Sequence, residues 1–144
     1  MSRSADIDLS FARPVTVGSL IHQLGSSDWK TKEPLGVSFM IEDDGDFDWQ
    51  RGDPENSNAI IASLDAVENV GLHVGVAIYC EAAETGGSLL FFPGRKEVSF
   101  MPNINRKPLI EGSNMTDIPW YLSQLVPPLL TIGLNGYEAR DLQD

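Results

Sequence analysis

The chain has 144 residues and a mass of 15.8 kDa, which is the size of one domain that can bury a core without disulfides or a metal. It carries 21 acidic and 10 basic residues, and the resulting net charge of -11 would repel a phosphate backbone, which argues against nucleic-acid binding. No apolar run approaches the roughly 20 residues that a membrane-spanning helix needs. The only cysteine is Cys80, and the N-terminus lacks the apolar stretch of a secretory signal, so we expect a cytoplasmic protein without disulfides.

The first half of the chain predicts alternating strands and helices. Apolar residues recur at every second position over residues 7–11 and 37–41, which predicts two half-buried strands. Thr16 is placed to cap a helix over Val17–Leu24. A second apolar stripe with helical spacing covers residues 57–69 and predicts another helix there.

The next segment predicts an antiparallel meander. Residues 72–81, 88–92 and 98–101 are rich in apolar and β-branched side chains and are separated by turn residues. The pair Gly86-Gly87 is expected to break the chain between the first two of these strands.

A last helix is expected near the C-terminus. Thr116 is placed to cap it, and Pro127-Pro128 is expected to break it, because proline cannot continue the helical hydrogen-bond ladder. The whole pattern predicts a single α+β domain over residues 1–144. Its mainly antiparallel sheet would have about five to six strands, with three helices packed mostly on one face.

The most unusual feature is residues 42–55, here called the acidic segment, which holds seven acids and a single arginine. Asp44, Asp46, Asp48 and Glu55 have the relative spacing of calcium ligands in an EF-hand loop. Trp49 occupies the position where that loop requires glycine, and the residues before the segment alternate like a strand rather than a helix. We therefore expect no metal site.

Two interpretations of the acidic segment remain: a solvated hairpin tip and loop, which is what a run of charges usually forms, or an acidic recognition surface. Asp44-Gly45 predicts a tight hairpin turn, after which Asp46 and Asp48 alternate with Phe47 and Trp49. On a strand this order would point the acids toward a partner and pack the aromatic rings inward. Trp29 lies in a polar stretch and is a second candidate anchor, either exposed at an interface or folded over the rim of the core. The expected partner-binding residues are Trp29, Asp43, Asp44, Asp46, Asp48, Asp53 and Glu55.

Catalytic and cofactor motifs are absent from the sequence. His73 and Cys80 lie seven residues apart on one predicted strand and so point to opposite faces, which excludes a local dyad. Cys80 continues an apolar strand face and is expected to be a buried core thiol. No nucleotide-binding, metalloprotease or hydrolase signature occurs, so we expect no catalytic residues and no cofactor.

In its layout the chain resembles bacterial immunity proteins, which are small acidic α+β domains that inhibit a toxin by occluding it. The resemblance rests on size, charge and the lack of catalytic motifs, and it implies a non-enzymatic protein-binding module whose partner is a basic protein such as a toxin domain. Two alternatives stay open. One is a small-molecule binder or small enzyme that uses carboxylates such as Asp117 or Glu81 in a pocket between sheet and helices. The other is a structural homodimer formed through the hairpin of residues 89–101, since the sequence does not decide between a monomer and a homodimer.

Overall fold

A computed structural model describes residues 3–31 and 36–144. These residues form one antiparallel sheet of eight strands and three α-helices. The predicted α+β class is confirmed, and the predicted strand count of five to six is too low. The strands are β1 Arg3–Phe11, β2 Trp29–Lys30, β3 Val37–Ile41, β4 Gln50–Gly52, β5 Val74–Cys80, β6 Thr85–Phe91, β7 Glu97–Ile104 and β8 Leu134–Gln143; the helices are α1 Val17–Leu24, α2 Ser57–Leu64 and α3 Ile118–Leu130.

The sheet order is β4-β3-β5-β6-β7-β1-β8, with β2 paired to the far half of β5. The strand register aligns Ile7, Phe100, Leu89 and Val76 in a row across one face. These side chains share one buried cluster with residues from all three helices, including Leu20, Leu64 and Leu125. The helices therefore cover this face, and we call the opposite side of the sheet the open face.

The start of α1 is held from two sides. Thr16 and Ser19 form the reciprocal hydrogen bonds of a capping box, which confirms the predicted cap. The carboxylate of Asp65 accepts from the backbone N–H groups of Val17 and Gly18, at 2.7 and 2.9 Å. Helix α2 ends at Leu64, and Asp65, the next residue, is the one that binds the start of α1. The apolar stripe predicts a helix to residue 69, but only a short 3-10 turn forms there, over Val67–Asn69.

Helix α3 passes through Pro127-Pro128 without ending, which contradicts the predicted break. Leu125 and Leu129 flank the prolines one turn apart and are fully buried, so core packing outweighs the lost hydrogen bonds. The cap is Asp117 rather than Thr116, because the Asp117 carboxylate accepts from the N–H of Trp120 at 3.1 Å.

Two further strand features differ from the sequence prediction. Gly86 and Gly87 lie inside β6 instead of breaking the chain. A Cβ on Gly86 would collide with the carbonyl oxygen of Ile78, and a Cβ on Gly87 would collide with that of Met101. The glycines thus permit a close approach of neighbouring strands. Strand β8 is absent from the sequence prediction. It pairs with β1 from Arg3 opposite Gln143 to Phe11 opposite Leu134, with one register shift between Ser10 and Phe11.

The hairpin of residues 89–101 lies in the interior of the sheet. Strand β6 pairs with β5 and β7, and β7 pairs with β6 and β1, so both hairpin strands have two neighbours. This hairpin offers a second copy no free strand edge. In the described part of the chain, no helix is long and apolar enough to cross a membrane.

Candidate protein-binding surface

The acidic segment begins where β3 ends. Asp43 and Asp46 exchange two backbone hydrogen bonds, of 3.0 and 2.9 Å, and close a two-residue turn. Asp44 and Gly45 occupy that turn with φ values of 52° and 86°. Two successive positive φ angles are those of a type I′ turn, so the predicted hairpin tip is confirmed.

Beyond the tip, the ladder is interrupted. Strand β4 starts only at Gln50, which pairs with Phe39, and residues 47–49 are not part of a strand. Phe47 and Trp49 are 42% and 41% exposed, so the prediction that both rings pack inward is wrong. The rings lean instead on the open face of the sheet, where no helix covers them.

The two rings have different supports on the open face. The Phe47 ring lies 5.0 Å from that of His73, which in turn lies 4.9 Å from that of Phe92. Trp49 lies over Gly75, since a Cβ there would be 2.7 Å from the indole. Each ring therefore has one supported side and one side open to solvent.

A pair of residues fixes the base of the segment. Oε1 of Glu42 accepts from the backbone N–H of His73 at 2.9 Å and lies 2.8 Å from its Nδ1. The backbone hydrogen bond, followed by the side-chain one, holds the pKa of Glu42 below its ordinary value. Because the ring of His73 also touches Phe47, this pair joins the start of the segment to its aromatic part.

The six acids predicted to bind a partner are all exposed. Within residues 3–31 and 36–144, no ion pair involves any of them. They form two groups: one is at the hairpin tip, and the other follows β4 at the opposite end of the β3–β4 hairpin. The tip group is Asp43, Asp44, Asp46 and Asp48; the second group is Asp53 and Glu55.

Trp29 does not belong to this surface. It is only 2% exposed and packs against Phe100 and Trp120, with ring centroids 5.9 and 6.1 Å apart. The polar residues before it form a 3-10 turn, and Asp28 adopts a φ of 66°, which directs the indole into the core. Of the two interpretations of Trp29, the exposed anchor is therefore wrong, and the alternative that its side chain packs against the core agrees with the structure.

The structure adds a charged cluster that the sequence reasoning missed. Arg140 on β8 contacts the carboxylates of Asp6 at 3.0 Å, Glu138 at 2.9 Å, and Asp8. The hydrogen bonds that Arg140 donates to Asp8 and, to a lesser extent, to Asp6 raise the pKa of Arg140. The alternation of Asp6 and Asp8 with apolar residues was the available signal, but it became informative only once β8 was known to lie beside β1.

The residues considered for catalysis, which are Glu81, Asp117 and Cys80, have structural roles or lie away from the acidic segment. Glu81 pairs with Lys30 at 3.1 Å on the surface, and Asp117 caps α3. Cys80 is buried, as expected. Among the described residues, no three His, Cys, Asp or Glu side chains come together in a way that could hold a metal ion.

Comparisons with protein-family models, with curated proteins and with solved structures find no match to this chain. The functional inference therefore depends on the geometry and charge of the surface itself.

Proposed function

We propose that this chain is a non-enzymatic cytoplasmic binding protein that docks a basic protein on the tip of the acidic segment. The central observation is that Phe47 and Trp49 stay about two fifths exposed while the sheet supports one side of each ring. Aromatic side chains held in this way can be buried by a partner at little further entropic cost, which is typical of interface anchors.

The charge around the rings specifies the partner. The tip acids Asp43, Asp44, Asp46 and Asp48 are exposed and belong to a chain of net charge -11. Such a field accelerates encounter with a cationic protein and fixes its orientation, while the rings supply contact area. A toxin domain that acts on nucleic acid presents the basic surface that this requires, so inhibition of such a toxin is the form of the proposal closest to the immunity-protein layout.

Charge reversal with a matched control tests the proposal. The first variant, Asp46→Lys with Asp48→Lys, changes the tip. The control, Glu84→Lys with Glu111→Lys, makes the same change in net charge at exposed positions near the opposite ends of the strands. Wild type and both variants serve as baits in quantitative pull-downs from the native host.

The proposal predicts a basic protein that the wild type and the control variant retain and the tip variant loses. With that protein purified, the tip variant should lower the association rate constant by about tenfold or more, and rising salt should lower it further. Equal losses with both variants would indicate bulk charge attraction only. If neither the tip substitutions nor the salt concentration changes the association rate constant, the tip is not the binding surface.

A further inference from the structure

Strand β8 is a long edge of the sheet. It has ten residues and pairs with β1 on one side, and no described strand lies on its other side. Exposed edges of this length are usually protected by charged side chains, above all lysine, by proline or by a bulge, each of which hinders pairing with another chain. Strand β8 contains neither proline nor lysine, and its one register irregularity against β1 lies at its start, between Leu134 and Gly136, so that residues 136–142 stay regular. Its charged residues are Glu138, Arg140 and Asp141, and Tyr137 and Leu142 on it are 53% and 62% exposed.

We infer that β8 pairs in antiparallel register with β8 of a second copy of this chain, around a two-fold axis at Ala139. The pairing would join two sheets into one and keep both helical layers on the same side. This interface is separate from the acidic tip and does not depend on the proposed function.

Charge favours this register over the two adjacent ones. A two-fold axis perpendicular to the sheet must lie between one residue of β8 and the same residue of the second copy. The reason is that paired residues in an antiparallel ladder point to the same face. An axis at Glu138 or at Arg140 would place that charge opposite its own copy. An axis at Ala139 instead places Glu138 of each copy opposite Arg140 of the other, a favourable cross-strand pair that occurs twice.

Side-chain size fits the same register. Leu142 would face Gly136 of the second copy, and a Cβ at Gly136 has no atom within 4 Å, so room exists there. Ala139, the residue that meets its own copy at the axis, is small. The net charge of -11 on each copy opposes association, but at physiological salt such repulsion is screened beyond about 8 Å.

The first test is sedimentation velocity over a range of protein concentrations at physiological salt. The wild type should show a concentration-dependent dimer. Glu138→Lys converts two attractive pairs between the copies into two repulsive ones, besides ending the Glu138–Arg140 pair within each copy, and should weaken dimerisation about tenfold or more. Glu84→Lys, with the same charge change, should not. A wild type that stays monomeric at millimolar concentration would overturn the proposal.

The second test fixes the register with cysteines. A variant with both Gly136→Cys and Leu142→Cys should be captured as a covalent dimer by a short thiol-reactive cross-linker. The two sites lie about 20 Å apart within one strand, too far for the same linker to join them in one chain. Each single-cysteine variant should be captured poorly, because its thiol would lie about 20 Å from the corresponding thiol of the second copy. Equal capture of single and double variants would overturn the register, and circular dichroism verifies that every variant is folded.

Discussion

The indole of Trp49 fills the space that a side chain at residue 75 would occupy. Gly75 lies in the middle of β5, opposite Met40, and a Cβ on it would be 2.7 Å from Trp49 Cη2 and 3.1 Å from the Leu89 carbonyl oxygen. Met40 is fully buried although it lies on the open face. The glycine thus forms a slot in the sheet that holds Trp49 in place and, with it, the exposed part of the acidic segment.

Gly75→Ala should displace Trp49. The added methyl group would crowd the indole and the Leu89 carbonyl, and overpacking of this kind costs about 1–3 kcal/mol. Urea unfolding should show that loss of stability, and acrylamide should quench Trp fluorescence more strongly in the folded variant. Gly71→Ala is the control, because a Cβ there has no atom within 4 Å. Unchanged quenching in Gly75→Ala would contradict the proposed role of the slot.

Trp29→Ala should affect stability rather than partner binding. Trp29 is 2% exposed and packs against Phe100 and Trp120, so its truncation leaves a large cavity, which costs about 3–5 kcal/mol. Trp29→Phe should cost much less, since the indole N–H has no hydrogen-bond partner to lose among residues 3–31 and 36–144. Urea unfolding measures both. If folded Trp29→Phe fails to capture the partner that the wild type captures, Trp29 has a role in binding after all.

Local signals in the sequence were sufficient where neighbouring residues determine the structure. The cap at Thr16 and the turn at Asp44-Gly45 depend on residues within three positions, and both are present as predicted. Prediction failed where distant contacts decide. Helix α3 crosses Pro127-Pro128 because the core holds the turns on either side, and β8 forms because β1 offers it a partner.

The same distinction applies to the candidate surface. Exposure of the tip acids follows from a charged turn, which the sequence shows directly. The orientation of Phe47 and Trp49 could not be predicted, because it depends on residues that are distant in the sequence. His73 directly precedes β5, and Gly75 lies within it. For Trp29 the sequence left exposure and packing against the core both open, because its polar neighbours are the usual signal of an exposed loop while the side chain is large and apolar.

The single thiol should be unreactive in the native protein. Cys80 is 3% exposed at the end of β5, where it pairs with Trp29 and Thr85. A thiol reagent can reach it only after local opening, so labelling should be at least about a hundredfold slower than in denaturant. Adding Cys80→Ser to the Gly136→Cys and Leu142→Cys variants removes the native thiol and shows whether Cys80 contributes to their cross-linking. Native labelling at the denatured rate would contradict the burial of Cys80.

The Glu42–His73 pair should make stability depend on acid in a defined range. Hydrogen bonds from His73 lower the pKa of Glu42 in the folded state below its ordinary value of 4.5, so the unfolded chain takes up a proton first as the pH falls. The stabilisation from Glu42 is therefore complete above pH 4.5 and is lost as the pH falls through the lowered value. Glu42→Gln keeps an oxygen that can accept the backbone hydrogen bond but has no charge to titrate.

Thermal melts of wild type and Glu42→Gln at a series of pH values isolate this effect, because the other acids titrate in both proteins. The wild type should melt at a higher temperature than the variant from pH 7 down to about pH 5, and the difference should shrink below pH 4.5. A gap between wild type and Glu42→Gln that widens below pH 4.5 would require a raised pKa for Glu42, and so would contradict the hydrogen bonds that hold the base of the acidic segment.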